Sequence, residues 1–329
     1  MKRISQYLSL NMYNVIFIFI NLVIGQLINY YLNAYDDFTL IQLLMTFALM
    51  IILYSSSKID LYLSQLNEDV NYADIYKKYI TKHYSNSILI YSFIFGFISI
   101  IEFIFLDFIV FNFMGIYLII SGIIALTISG IGYLRCVYYI LFLSKIEKYE
   151  IKYYNEFNPI ETPIVKLIYT ILDINTTALM TAGLIYVYVY SIVAPLDLIN
   201  IAEFNIYHLV LLFSWLIVFI CIILAIVFII LYPRKILHNI VKKLKNKSKS
   251  KIIFIMKEES KQLNNYNKIE LIERTFNVLN HIDQTKASNS IGKSIYIFSV
   301  IIGLSSLVIA ISKLLNAIVD IIDFLCMVK

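Results

Sequence analysis

The chain is 329 residues long, 60% hydrophobic and only 15% charged, with a formal net charge of +5 and a mean hydropathy of +0.79. A water-soluble domain carries roughly a quarter charged residues, so this composition excludes a soluble globular protein and predicts an all-α polytopic membrane protein. Nucleic acid is not the partner that the positive charge suggests, because that charge flanks apolar runs, where an anionic leaflet of the bilayer is nearest.

The 27 tyrosines and 22 phenylalanines suit the headgroup boundary, where amphipathic rings collect. Heavy use of Ile, Lys, Asn and Tyr suggests an A+T-rich coding genome and hence a prokaryote. Cys136, Cys221 and Cys326 all fall in or beside apolar segments. They offer neither a disulfide framework nor metal-ligand spacing, and read as small packing residues.

In chain order, Met1-Lys2-Arg3 precedes an apolar run with no small-residue cleavage site, so residues 13–32 are read as an uncleaved first span. A turn with Asp36 and Asp37 leads to span two, 38–54. Residues 55–86 are polar and read as helix. Asn71 suits an N-cap there, and Tyr72, Ile75, Tyr76, Tyr79 and Ile80 form an apolar face. Spans three and four follow at 88–106 and 114–134, with their turn near Asp107–Phe113.

Span four carries Gly122, Ala125, Ser129 and Gly132 on one stripe. Small residues so spaced let a neighbouring helix approach closely in lipid. Arg135 ends that span, and 135–166 continues its helix until Pro159 and Pro163 break it. Span five is 172–194, followed by an outer loop containing Asp197 and Glu203.

Span six, 207–232, has no charged residue and is long enough for the ~30 Å hydrocarbon core. At Pro233 it gives way to a basic helical region, 233–293. Ile236, Leu237, Ile240, Val241 and Leu244 share one face there with basic residues opposite, which predicts a helix lying on an anionic membrane surface through Arg234, Lys235, Lys242, Lys243 and Lys245. Ile269, Ile272, Phe276 and Leu279 repeat at three and four residues, the pattern of a helical hairpin or docking helix. Residues 294–329 hold a seventh span, with an apolar tail that either continues or folds back as a re-entrant leg.

Charge sets the orientation. The proposed outer turns contain acids and no Lys or Arg, whereas nearly all positive residues fall in the other connections. Lysine-rich connections are retained on the cytoplasmic side, so the N-terminus is expected inside and the membrane is expected to be the plasma membrane.

Few residues suggest chemistry. Acids within spans persist for a reason, since a charge in hydrocarbon costs ~3 kcal/mol or more; Glu102, Asp173, Asp320 and Asp323 are the candidates. Gln26, Asn29 and Gln42 are expected to hydrogen-bond between helices. Ala287–Ser294 resembles a phosphate-binding loop loosely, but lacks the strand before it that the motif requires. No catalytic triad, metal spacing or cofactor motif is present in the sequence. The reading that follows is a non-enzymatic membrane scaffold, sensor or complex subunit, with a protein partner docking on, or gating through, 233–293. The alternative is a transporter or ion channel using the four acids.

Overall fold

A computed structural model describes residues 12–32, 38–66, 86–105, 109, 112–148, 151, 154–193, 206–261, 263, 265–284 and 290–327. The expected cap at Asn71 and the amphipathic face 72–80 lie outside these residues. Everything regular that is described is helical: α1 (Met12–Leu32), α2 (Phe38–Leu66), α3 (Asn86–Phe105), α4 (Phe113–Ile146), α5 (Pro163–Val193), α6 (Ile206–Ala225), a π-helical turn (Ile226–Leu231), α7 (Tyr232–Ser260), α8 (Asn265–Gln284) and α9 (Ser290–Met327), with one 3-10 turn at Pro159–Glu161. Seven of these helical stretches are long and apolar enough to cross a membrane, so the chain is an integral membrane helical bundle.

Helix length divides the bundle into two kinds of member. α1 and α3 have 21 and 20 residues, about 30 Å at 1.5 Å per residue, and so just match the hydrocarbon core. α2, α4 and α5 have 29, 34 and 31 residues, which leaves about 14–21 Å of each beyond a ~30 Å core. Those surplus turns gather at one end of the bundle. Ile59 of α2, Tyr139, Phe142 and Leu143 of α4, Ile164 and Ile168 of α5, and Leu237 and Ile240 of α7 form a single apolar core there. We call this end the head.

α5 is the central helix, packing against α2, α9, α7 and α4, whereas α3 rests mainly on α4. Its start is fixed locally: Pro163 occupies the first helical position, where no amide donor is needed, and the Thr162 carbonyl accepts from the Val165 and Lys166 amides at 2.9 and 3.1 Å. At the far end of the bundle, Asn112 caps α4 through its side-chain oxygen, which accepts from the Gly115 amide at 2.8 Å.

Two expectations are revised, and one choice left open is decided. The helix does not end at Pro233: from His208 to Ser260 it runs for 53 residues, about 80 Å. The apolar face of α7 does not insert into lipid, because Ile236, Leu237, Ile240, Val241 and Leu244 are 1–3% exposed within the head core. The tail does not fold back either, since α9 is continuous to Met327. It runs from Ser299, beside Thr177, to Ala310, which packs with Leu211 and Trp215 away from the head.

The small-residue stripe of α4 also works differently from the expectation of one partner helix. A side chain at Gly122 would meet Ile100 of α3, and one at Gly132 would meet Ile52 of α2. Ser129 bonds Tyr186 of α5, and Ala125 packs against the Ile18, Leu49 and Leu53 cluster of α1 and α2. Close approach of α3 to α4 depends also on Gly96 and Gly130. A Cβ on Gly130 would lie 3.1 Å from the Cβ and 3.3 Å from the Cα of Ser92.

Candidate functional site

Two networks of polar side chains stand out in the spans, one at the base of the head and one at the opposite end. At the base of the head, Asp173 of α5 forms an ion pair with Arg234 of α7, with both side chains largely covered at 15% and 19% exposure. Arg234 follows Pro233, which has no amide hydrogen to give to the carbonyl of Ile229, four residues back. The helix meets this loss with the π turn over Ile226–Leu231, and the hydroxyl of Thr176 donates to the Ile229 carbonyl at 3.4 Å. Such turns recur at functional sites. Here the turn joins the membrane-crossing α6 to α7 and holds the one against the polar face of α5.

In the same layer, Arg135 is 4% exposed and donates to the Ser56 hydroxyl of α2. Ser55, Ser56, Arg135 and Asn175 line a cavity of about 10 Å³, room for roughly one water molecule. Its place in the sequence marks Arg135 only as the end of a span. The available signal was the set of polar residues in otherwise apolar helices: Ser55, Ser56 and Asn175.

The opposite layer joins α1, α2 and α4. Gln26 donates to the Gln42 side-chain oxygen at 2.6 Å and accepts from Thr39 at 2.8 Å. Gln42 in turn donates to the Asn21 carbonyl at 3.2 Å and to the Tyr117 hydroxyl at 2.8 Å. Gln26 and Gln42 thus make the inter-helix bond their sequence suggests. Tyr117 completes the network by donating to the Asn21 carbonyl at 2.8 Å, a role that nothing near it in sequence signals. Glu102 of α3 accepts from the Tyr190 hydroxyl at 2.9 Å, and the Tyr190 ring meets Trp215 edge-on at 5.1 Å. Trp215 itself is fully buried.

The candidate acids therefore do not form one site. Tyr190, which holds Glu102, and Asp173 are 17 positions apart on α5, about 25 Å along the axis. The side chains of Asp320 and Asp323 lie outside the described residues, though the backbone there continues α9. Of the phosphate-loop resemblance, 287–289 also lie outside them, and residues from Ser290 onward open α9.

Beyond the head, α7 and α8 pair as an arm. Lys249 pairs with the Asp283 carboxylate at 2.5 Å and Lys245 donates to the Asp283 carbonyl at 3.2 Å, pinning the end of α8 to the middle of α7. Thr275 and Ile282 of α8 are buried, but Ile269, Ile272 and Phe276 are 55–67% exposed, as is Phe254 of α7 at 64%. Of the expected lipid-contact residues, Arg234 is committed to Asp173 and Lys245 to Asp283, while Lys235, Lys242 and Lys243 are exposed. The chain matches no protein-family model, no curated protein and no solved structure.

Proposed function

We propose that this integral membrane protein is a non-enzymatic scaffold, sensor or complex subunit of the cell membrane, with its N-terminus and head in the cytoplasm. The arm formed by α7 and α8 docks a protein partner. The observation that carries this reading is the ridge of Ile269, Ile272 and Phe276, exposed on α8 although α8 is not among the seven apolar spans. An apolar ridge outside the bilayer lowers free energy only when another surface covers it. The orientation rests on charge: the described basic residues other than Lys313 lie in the head, the arm or the helix ends that lead into them.

The docking test is Ile272→Glu with Phe276→Glu, expressed in native membranes and cross-linked before purification. Loss of the co-purifying partner with unchanged membrane insertion is expected, and retention of the same cross-links overturns the reading. Orientation is tested separately, with an impermeant thiol reagent and Lys257→Cys measured against the parent chain. Labelling that requires the cells to be opened is expected, and equal labelling of intact cells overturns it.

The transport reading has one observation in its favour, a carboxylate at Glu102 held in the bundle by a tyrosine rather than by a cation. Against it, Asp173 is ion-paired, and the cavity among the polar residues at the base of the head holds about 10 Å³. Ion flux through liposomes that falls with Glu102→Gln would favour transport over docking.

A further inference from the structure

We propose that the outward seam of α8 pairs with the same seam of a second copy of this chain, in parallel and in register. The inference rests on the docking reading above and names the partner. α8 is apolar on two sides. Thr275 and Ile282 are buried on the side where it meets α7. On the other, Ile269, Ile272 and Phe276 are more than half exposed and Leu279 is half-buried. A helix with apolar surface on two sides is stable between two neighbours, and α7 supplies one.

Lipid does not supply the other. Asp283 is held at Lys249, 16 positions and about 24 Å beyond Pro233 along α7. α8 returns from the tip of the arm, so Phe276, seven positions before Asp283, stands about 10 Å farther out.

Charge points to a second copy. The seam steps by three, four and three residues, a heptad with Ile269 and Phe276 at a and Ile272 and Leu279 at d. Its flanks then hold Lys268 at g and Glu273 at e. When two such helices run parallel and in register, each g residue faces the e residue five positions later in the other. Lys268 of each copy thus faces Glu273 of the other. An antiparallel pair sets g beside g and e beside e, and loses this match. Glu270 and Arg274, behind the seam, pair with each other at 2.5 Å and stay out of it.

The bilayer imposes the direction that the charges require. α7 continues the crossing helix without a break. In two copies inserted the same way, related by a two-fold axis along the membrane normal, the α8 helices therefore run in the same sense. The contact is isologous, each seam being the complement of the other. From Lys268 to Leu279 it is shorter than two heptads. Confinement side by side in one membrane, rather than affinity in dilute solution, holds the pair together.

The test reconstitutes the full chain in phosphatidylcholine vesicles and oxidises a cysteine placed on α8, with the parent chain as control for its own cysteines. Leu279→Cys, in the seam, should form a disulfide-linked dimer about tenfold faster than Asn277→Cys, which lies off it. Within the Leu279→Cys chain, Lys268→Glu or Glu273→Lys alone sets like charges across the seam and should slow cross-linking about tenfold. Mixing those two variants in one vesicle restores two opposite pairs, and so does joining both changes in one chain; each should return the rate to that of Leu279→Cys alone. Equal rates at 277 and 279 would mean random collision, and failure of the mixture to recover would mean that these charges do not set the pairing. Either result overturns the proposal, as does absence of the Leu279→Cys dimer. If that dimer is absent while Ile272→Glu with Phe276→Glu still removes a cross-linked protein of another mass, the docking reading stands and self-pairing falls.

Discussion

The two halves of the arm helix α7 and its partner α8 began with similar sequence patterns and met different fates. Near Pro233, the apolar face of α7 is closed into the head, with Leu237 at 1% exposure and Ile240 at 2%. Toward the tip, Phe254 stands at 64% and Ile269 of α8 at 67%. Both stretches are amphipathic helices rich in lysine or glutamate. An amphipathic face thus tells that something covers it, while the choice among bilayer, own bundle and partner is made by what lies beside it. The difference has an energetic side as well. In lipid, helices gain nothing by hiding apolar surface from one another, but in the head water is the alternative, and burial is worth ~25 cal/mol per Å².

Substitutions in the closed and the open stretches differ in their expected effect, read in detergent by denaturant unfolding of the fully buried Trp215, the chain's one tryptophan. Leu237→Ala removes a side chain from the closed half and should cost about 3 kcal/mol; a loss below ~1 kcal/mol would mean that the head core is loosely packed. Asp173→Asn leaves Arg234 largely covered without its counter-ion, and a loss of about 2 kcal/mol is expected for a partly buried pair. Adding Arg234→Gln should recover part of that loss, and a double variant as unstable as the sum would show that the pair is not coupled. Gly130→Val presses on the Cβ and backbone of Ser92 and should cost about 1.5 kcal/mol by overpacking, visible as a lowered Tm. Phe276→Ala, on the open ridge, should change stability by less than ~0.5 kcal/mol. A larger loss there would mean that the ridge is already covered within the chain.

Much of the architecture was legible because membrane crossing depends on a one-dimensional property. An apolar run either reaches across ~30 Å or does not, and seven described helical stretches are long and apolar enough to do so, the last of them in α9. Helix beyond the spans is also legible, in 55–86, 135–166 and 233–293; what the sequence does not carry is that the extensions of α2, α4 and α5 pack with α7 into one apolar head. The candidate site was legible only in part. Gln26 and Gln42 announced themselves as amides among apolar neighbours, and they bond each other. Arg135 and Tyr117 did not, since an arginine or tyrosine near a span end ordinarily faces water or headgroups.

Which runs are long and apolar enough to cross lipid, and which of them lysine and arginine flank, can be read from the chain without its fold. Both follow from transfer free energies that each segment carries alone. Tertiary structure alone decided that Asp173 meets Arg234 across 61 residues, that Pro233 is absorbed by a π turn rather than ending the helix, and which amphipathic face remains open. These outcomes depend on the rotation and depth of one helix relative to another. That quantity is set by the fit of side chains on both, so no single segment contains it.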